Sequence, residues 1–162
     1  MYSIDDDVRV VSLDDLPWQE TGAPMPFVVA KDNELFLAYE TQSGDEIAVL
    51  KFVRPFAHSF GPPNDEALQG HPLAKAGLHA YGNFEVLNSP WAAALERMNR
   101  VHPSHDPRRF AALRHFAFTF HDTMFECLAL DIQLAATLPN QVGSNQKLVS
   151  LLTEMLTMKI GI

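Results

Sequence analysis

The sequence predicts an α+β fold in which an antiparallel β-sheet is packed against two or three helices. Short apolar runs joined by tight turns in the first third of the chain favour antiparallel strands. A strictly alternating stretch at residues 114–130 favours a further hairpin, and proline after Ser89 and Asp106 favours two helix starts. A closed or half-closed barrel is the alternative, because Phe-rich alternating strands need a covered face. The 162 residues suffice for one globular domain spanning residues 1–162.

The strands of the first third follow one another closely. Residues 8–12 alternate weakly and are typical of a first strand. The runs FVVAK and ELFLAYET are rich in β-branched and aromatic residues, and the Asp32-Asn33 pair between them tolerates turn geometry. A second turn at residues 43–45 leads into EIAVLKFV, which predicts a three-stranded meander over residues 27–53. With a short strand in FEVLN and the later hairpin, the sheet is expected to contain five to seven strands.

Residues 58–79, which we call the Pro/Gly segment, cannot form one regular element. The segment contains three of the eleven prolines, three of the eight glycines and three of the seven histidines. Proline removes a backbone donor and glycine relaxes the backbone, so both interrupt helices and strands. The segment also offers apolar side chains for burial, namely Phe60, Leu68, Leu73 and Leu78. It is therefore predicted to be a packed loop, and functional residues are often found on such loops.

Two helices are predicted from their starting residues. Ser89 can cap a helix, and Pro90 is pre-organised for the first helical position. Asp106 and Pro107 repeat this signal and begin a shorter helix that runs to Leu113. In the first helix, apolar residues recur at spacings of four, three and three, which predicts one stripe facing a core. The stripe consists of Trp91, Leu95, Met98 and Val101.

The stretch RHFAFTFHDTMFECLAL is predicted to form a hairpin with two unlike faces. Phe116, Phe118 and Phe120 share one face, and His115, Ala117, Thr119 and His121 share the other. A tight turn at residues 122–123 sets the expected register, with Phe120 opposite Phe125. In this register Thr119 lies opposite Glu126 on a polar, solvated face.

Residues 131–162 are predicted to form a C-terminal extension. Residues 131–143 show no clean period, whereas an apolar stripe at helical spacing follows them. The stripe consists of Leu148, Leu151, Leu152, Met155 and Met158. An amphipathic helix of this kind docks on its own domain or on a second subunit, and the second case would make the protein a homodimer.

Charge and composition argue against several classes of protein. The net charge is −8, and residues 1–46 hold eleven acidic residues against two basic ones, which argues against nucleic-acid binding. The arginines at 97, 100, 108, 109 and 114 are expected to form a solvated face that pairs with the acidic N-terminal third. No window approaches the roughly 18 consecutive apolar residues of a membrane span. The acidic N-terminus is unlike a signal peptide, and a single cysteine fits a reducing compartment, so a soluble cytoplasmic protein is expected.

Two groups of polar side chains could carry chemistry. The candidates for catalysis are Asp65, Glu66, His71, His121 and Glu126, and the candidates for binding are His58, Asn64, His79 and Asp122. Carboxylates and imidazoles exchange protons near neutral pH, bind divalent metals and contact polar small molecules. No motif such as HExxH or paired CxxC is present, so no metal is assigned and the cofactor stays open.

Each candidate also has a structural explanation. Asn64 and Asp65 precede EALQG and suit a helix N-cap. His71 can donate a hydrogen bond that closes the loop, and the His121-Asp122 pair suits a tight turn. Cys127 lies on the phenylalanine face and is expected to be a small buried residue rather than a nucleophile.

Three motifs occur in order between residues 55 and 128, namely FGPPNDEALQGHPL, GLHAYGNFEVLNSPWAAALERMNRVHP and RHFAFTFHDTMFEC. In order and composition they resemble a family of small uncharacterised bacterial proteins. The resemblance implies a bacterial, cytoplasmic protein and no particular activity. It does not extend beyond Cys127.

Two functions are open from the sequence. The first is a small binding or interaction domain without catalysis, in which the polar motifs are caps and turns, a small-molecule ligand can bind, and the C-terminal helix forms a homodimer. The second is a small enzyme or metal-binding domain, in which His, Asp and Glu side chains converge on one pocket. The first function is slightly favoured, because each candidate residue has a structural explanation.

Overall fold

The computed structural model of the protein describes residues 4–22, 26–141 and 144–157. Its strands are β1 (Arg9–Ser12), β2 (Phe27–Lys31), β3 (Glu34–Glu40), β4 (Glu46–Val53), β5 (Ala57–Gly61), β6 (Gly82–Leu87), β7 (Arg114–Thr119), β8 (Met124–Ala129) and β9 (Asp131–Pro139). Its helices are α1 (Pro90–Asn99), α2 (Pro107–Ala111) and α3 (Ser144–Thr157), with short 3-10 turns at Leu68–Gly70 and Pro72–Ala76. None of the helices in these ranges is long and apolar enough to cross a membrane.

The strands of the described residues form two antiparallel sheets that pack face to face. The first sheet has the order β1-β6-β7-β8-β5, and the second has the order β2-β3-β4-β9. Side chains from both sheets meet in an aromatic core. In this core the ring of Phe52 lies 5.9 Å from that of Phe116 and 5.2 Å from that of Phe125, measured between centroids. Large buried rings of this kind dominate the energetics of a core.

The predicted fold class is confirmed, although the sheet is divided differently. The predicted meander corresponds to β2, β3 and β4, and Asp32 in its first turn has a positive φ of 49°. Instead of one sheet of five to seven strands, or a barrel, the described strands form two separate sheets. Because β3 and β4 are buried on both faces, they are almost continuously apolar in sequence.

The Pro/Gly segment covers the outer face of the first sheet, as expected of a packed loop. Leu68, Leu73 and Leu78 are buried there and cluster with Met124 of β8. Phe60 differs from the prediction, since it lies on the edge strand β5 and is exposed. The segment therefore packs on the outer face of β7 and β8 and covers it.

The β7–β8 hairpin has its predicted faces but a register shifted by two residues. Phe118, rather than Phe120, lies opposite Phe125. The loop at residues 120–123 is wider than a two-residue turn and is closed by a 2.8 Å backbone hydrogen bond between its ends. Because the shift is an even number of residues, every side chain keeps its face.

The second face of this hairpin is buried rather than solvated, which corrects the prediction. Glu126 is 8% exposed, and His115 and Thr119 are essentially inaccessible. Alternation shows that these side chains share a face, but it does not show that a distant loop covers that face. A buried carboxylate needs hydrogen-bond donors, so the residues that contact Glu126 determine whether its charge can be buried.

Helix α1 begins where predicted, but only its first half faces the protein. The Ser89 hydroxyl accepts a hydrogen bond from the backbone N–H of Ala92 at 3.1 Å and so caps the helix. Trp91 is half-buried, whereas Met98 and Val101 are 71% and 90% exposed. The predicted apolar stripe is wrong for its second half, because spacing shows which residues share a face and not how much of it is covered.

The arginine-rich stretch forms local ion pairs. The pairs in the described part of the chain are Arg100–Glu96, Arg108–Asp106, Arg114–Glu85 and Arg114–Asp131. These acidic partners lie between residues 85 and 131. The expectation that the arginines pair with the acidic N-terminal third is therefore wrong for Arg100, Arg108 and Arg114.

Residues 131–139, which show no clean period, complete the second sheet as β9. The strand pairs with β4 along its whole length, with a β-bulge between Val49 and Leu50. Ala136 lies opposite Val49 and Leu134 opposite Leu50, so the residue between them has no counterpart. The bulge shifts the alternation of inward- and outward-facing side chains by one residue. This shift explains why the sequence of the strand shows no regular period of apolar residues.

Helix α3 docks on the outer face of the second sheet. Leu148 and Leu152 are buried there and cluster with Phe36 and Val49. Two residues of the predicted stripe, Met155 and Met158, have side chains outside the described part of the chain. Of the two predicted docking modes, packing on its own domain is observed, and the homodimer stays a prediction.

Replacing Leu50 with alanine should lower the free energy of unfolding by about 2–5 kcal/mol, because the side chain is fully buried in the aromatic core. The matched control Met98→Ala removes a side chain of similar size that is mostly exposed, and should change stability by less than about 0.5 kcal/mol. Urea denaturation followed by circular dichroism measures both effects. An equal loss of unfolding free energy in both variants would show that the second half of α1 is covered in solution.

Candidate functional site

Glu126 occupies a buried position on the outer face of the first sheet. In β8 it lies opposite Ala117 of β7 on one side and Ser59 of β5 on the other. His115 precedes Ala117 by two residues, so it is the diagonal neighbour of Glu126 on the same face. The Nε2 atom of His115 is 3.0 Å from Oε1 of Glu126, within hydrogen-bond distance. Sheet geometry therefore brings one imidazole to the carboxylate.

The Pro/Gly segment brings a second imidazole to the same carboxylate. His71 lies between the two 3-10 turns, and the burial of Leu68 and Leu73 on either side fixes the loop over the sheet. The Nε2 atom of His71 is 3.6 Å from Oε2 of Glu126. Its Nδ1 atom accepts a hydrogen bond from the backbone N–H of Leu73 at 3.3 Å, whereas the sequence predicts that His71 donates the bond that closes the loop.

His115 connects the carboxylate to the start of α1. Its Nδ1 atom is 2.9 Å from the Ser89 hydroxyl. Trp91, in the first turn of the same helix, packs edge-on against the His115 ring at a centroid distance of 5.5 Å. We call His71, Ser89, His115 and Glu126 the buried polar cluster.

The hydrogen-bond partners assign the protons of both imidazoles. The Leu73 N–H occupies Nδ1 of His71, so neutral His71 carries its proton on Nε2, which faces Glu126. A carboxylate oxygen only accepts, so Nε2 of His115 also carries a proton; in the neutral imidazole Nδ1 then accepts from the Ser89 hydroxyl. The carboxylate thus faces two N–H donors, and such pairing allows a charge to be buried.

A cavity of about 310 Å³ opens onto this carboxylate, and we call it the inner cavity. It is lined by Ser59, Pro62, Pro63, His71, Trp91, Met124 and Glu126. Its volume lies at the lower end of the range of small-molecule sites. Apolar walls with a few polar groups are the usual lining of such a site.

Three further candidates, Asp65, His121 and Asp122, meet at the surface, beside the loop of the β7–β8 hairpin. The Tyr81 hydroxyl donates to Asp65, and this bond lowers the pKa of Asp65 and raises the pKa of Tyr81. The backbone N–H of Asp65 donates to the carbonyl of His121 at 2.9 Å, which joins the Pro/Gly segment to the hairpin. The Nδ1 atom of His121 is 2.9 Å from the Asp122 carboxylate, and this hydrogen bond raises the pKa of His121.

A wide surface depression of about 620 Å³ lies next to these residues. His71, Asn64 and Asp122 contribute to its lining, and the Oδ1 atom of Asn64 accepts from the backbone N–H of Ala67 at 3.1 Å, as a cap would. His71 and the Pro62-Pro63 pair also line the inner cavity, so they separate the two spaces. The candidates that line a space therefore fall into a buried pair, His71 and Glu126, and a surface group, Asn64, His71 and Asp122, which share His71.

Five candidates line neither space: Asp65 and His121, whose contacts are given above, and Glu66, His58 and His79. Glu66 is exposed to solvent. His58 lies on the edge strand β5, where its ring stacks on Phe125 at a centroid distance of 6.3 Å. His79 is exposed, and its ring meets the Phe84 ring edge-on at 4.8 Å.

Comparisons with known proteins do not add to this geometry. No protein-family model, curated protein or solved structure matches the chain. The resemblance to a bacterial family therefore stays a prediction. Among the side chains of the described residues, no three His, Cys, Asp or Glu residues are grouped so that they could hold a metal ion. The site is accordingly interpreted from its own hydrogen bonds and cavities.

Three residues of the site are missing from the sequence-based candidates. Alternation places His115 on the face of Glu126, but the predicted register sets the two residues four positions apart instead of two. A hairpin loop at residues 120–123, in place of the predicted two-residue turn, gives the register in which His115 and Glu126 are diagonal neighbours. Ser89 is predicted only as a helix cap and Trp91 only as a core residue, because each also has that common structural use.

Replacing Asp122 with asparagine should lower the pKa of His121 toward the ordinary value of about 6.5, because it removes the carboxylate that stabilises the imidazolium. The pKa of folded His121 is raised. Its contribution to stability is therefore present below the ordinary pKa and is lost as the pH rises through the folded-state pKa. NMR titration of the imidazole signals measures the pKa directly.

The control for this titration is Asp45→Asn, which removes an exposed carboxylate from the turn between β3 and β4. It should leave the pKa of His121 unchanged. An equal pKa in wild type and Asp122→Asn would contradict the assigned hydrogen bond.

Proposed function

We propose that the protein binds a small molecule in the inner cavity, through a group that hydrogen-bonds to Glu126 and His71. One observation carries this proposal: a buried carboxylate and an imidazole from a separate element both line a cavity of small-molecule size. Burial of charged and polar groups is costly, and a purely structural cluster does not need to open onto a cavity. The arrangement therefore favours ligand recognition.

The two polar groups define the chemistry of the ligand. Oε2 of Glu126 accepts hydrogen bonds and Nε2 of His71 donates them. The two atoms are 3.6 Å apart, farther than the roughly 2.7–3.2 Å of a direct hydrogen bond. A single group that both accepts and donates can contact both atoms from the cavity side. Hydroxyl groups and primary amides have this property, so the expected ligand is a neutral molecule that carries one of them.

The walls of the inner cavity favour a compact apolar body for the rest of this ligand. Pro62 and Pro63 form one side, and Trp91 and Met124 contribute further apolar surface. The Ser59 hydroxyl adds one more polar group, on the exposed edge strand. A lining that combines apolar surface with a few fixed polar groups binds its ligand by shape and by one or two oriented hydrogen bonds.

The proposed role is that of a binding domain in a bacterial cytoplasm, with no nucleic-acid or membrane partner. A homodimer through α3 belongs to the same proposal. Leu148 and Leu152 are occupied by packing within the chain, so such a dimer would use the other side of the helix, where Val149 is exposed.

Benzyl alcohol and benzamide should bind in the inner cavity, and their methylated analogues benzyl methyl ether and N,N-dimethylbenzamide should bind more weakly. The methylated compounds cannot donate to Glu126, and an unsatisfied buried partner costs about 1–3 kcal/mol, which corresponds to about 5- to 150-fold in Kd. Shifts in two-dimensional amide NMR spectra measure the Kd values and locate the bound compound.

Glu126→Gln should weaken binding at least about tenfold, since the amide disturbs the acceptor that the ligand uses. The matched control Glu66→Gln alters an exposed residue outside the inner cavity and should bind as wild type does. A second variant, Ser59→Trp, fills the inner cavity from the edge strand without changing the buried polar cluster, and should abolish binding. Unchanged affinity in both Glu126→Gln and Ser59→Trp, or no shift near the inner cavity with any compound, would overturn the proposal.

A further inference from the structure

Ser89, His115 and Glu126 form a continuous line of hydrogen bonds from a surface groove to the buried carboxylate. The Ser89 Oγ and His115 Nδ1 atoms are 2.9 Å apart, and His115 Nε2 and Glu126 Oε1 are 3.0 Å apart. Serine, histidine and carboxylate in this order activate the nucleophile of many hydrolases, and such a triad is recognised by geometry rather than by sequence position. We propose that Ser89 is the nucleophile of an acyl-transfer site, with His115 as its base and Glu126 as the residue that positions His115.

The proton positions of the buried polar cluster have the direction that this chemistry requires. The Nε2 proton of His115 points to Glu126, so in the neutral imidazole the unprotonated Nδ1 atom lies against the Ser89 hydroxyl. In the Ser-His-Asp triad of serine proteases the serine contacts Nε2, so the two ring nitrogens have exchanged roles here. Transfer of the Ser89 proton would create an imidazolium on the inaccessible His115 ring, beside a carboxylate that is 8% exposed, and the attraction between two such buried charges is strong.

The backbone presents Ser89 at a sharp junction between a strand and a helix. β6 ends at Leu87, and Asn88 then adopts a positive φ of 55°, so the chain turns before α1 begins at Pro90. A strand–turn–helix junction also exposes the nucleophilic serine of α/β-hydrolases, in a different fold. The turn places the hydroxyl at the boundary between the sheet and the helix layer.

A groove of about 580 Å³ runs past Ser89, between β6 and the two helices α1 and α2. The charged residues that line it are Asp5, Asp7, Glu85, Glu96 and Arg114. Arg114 is held in an ion pair by Glu85 and Glu96 is paired with Arg100, so the carboxylates of Asp5 and Asp7 make the remaining field of the groove negative. This lining disfavours anionic substrates. The substrate class is therefore a carboxylic ester that is neutral or carries a positive charge.

The reaction can be written with every atom accounted for. Oγ of Ser89 bonds to the ester carbonyl carbon while its proton passes to Nδ1 of His115. The bond from that carbon to the alkoxy oxygen then breaks, and the leaving alcohol takes the proton from Nδ1. Water next attacks the acyl-serine, gives its proton to Nδ1, and releases the carboxylic acid as Ser89 recovers the proton.

Ser89 also caps α1, and a discriminating variant must preserve that role. Its hydroxyl accepts from the Ala92 N–H. Asparagine is as good an N-cap as serine but has no hydroxyl, so Ser89→Asn separates the cap from the nucleophile. The matched control Ser104→Ala removes an exposed hydroxyl from the loop between α1 and α2.

The test is covalent labelling of the full chain with an uncharged, biotin-tagged fluorophosphonate, which reacts with activated serines by forming an Oγ–P bond and releasing fluoride. Wild type and Ser104→Ala should become labelled on Ser89, located by peptide mass spectrometry. Ser89→Asn should remain folded, with a cooperative thermal transition, and should take no label. His115→Gln should label about 100-fold more slowly or not at all, because it lacks the general base.

An unlabelled Ser89 in folded wild type at pH 8 would overturn the inference, and so would equal labelling rates in wild type and His115→Gln. Label on a residue other than Ser89 would also overturn it. The labelling result does not depend on a ligand in the inner cavity. Failure of the ligand-binding proposal and failure of the nucleophile proposal can therefore be told apart.

Discussion

The carboxylate of Glu126 is buried between a β-sheet and the loop that covers it, and it therefore needs hydrogen-bond donors from its surroundings. His115 supplies one from the neighbouring strand, and His71 offers another from the Pro/Gly segment. His115 is in turn oriented by Ser89 at the start of α1. The charge of Glu126 thus links three features of the fold, namely the register of β7 and β8, the conformation of the Pro/Gly segment and the position of α1.

The same carboxylate is shared by two spaces of different character. On one side it lines the inner cavity with His71, where an acceptor and a donor lie close enough to contact one ligand group. On the other side it acts only through His115, whose far nitrogen reaches the hydroxyl beside the groove. Binding and acyl transfer would therefore use different oxygens of one carboxylate.

Burial of both faces of the central strands of each sheet explains why a chain of ordinary composition holds polar groups in its interior. The aromatic core lies between the sheets, helix α3 covers the second sheet, and the Pro/Gly segment covers the first. The loop cover is less regular than a helix, because prolines and glycines prevent a continuous element. An irregular cover leaves gaps against the sheet, and the inner cavity is one of them.

Short-range physics was enough to determine much of this protein from its sequence. Turn residues identified the β2–β4 meander, the Ser89-Pro90 pair identified the start of α1, and alternation assigned every side chain of the β7–β8 hairpin to its face. The tertiary structure alone decided the hairpin register, the division into two sheets, and the meeting of His71 with Glu126. Register depends on the width of a loop, and burial depends on which distant segment covers a face. Neither the register nor the burial is encoded in the spacing of neighbouring residues. The sequence therefore identified only some residues of the site, and the tertiary structure identified the others.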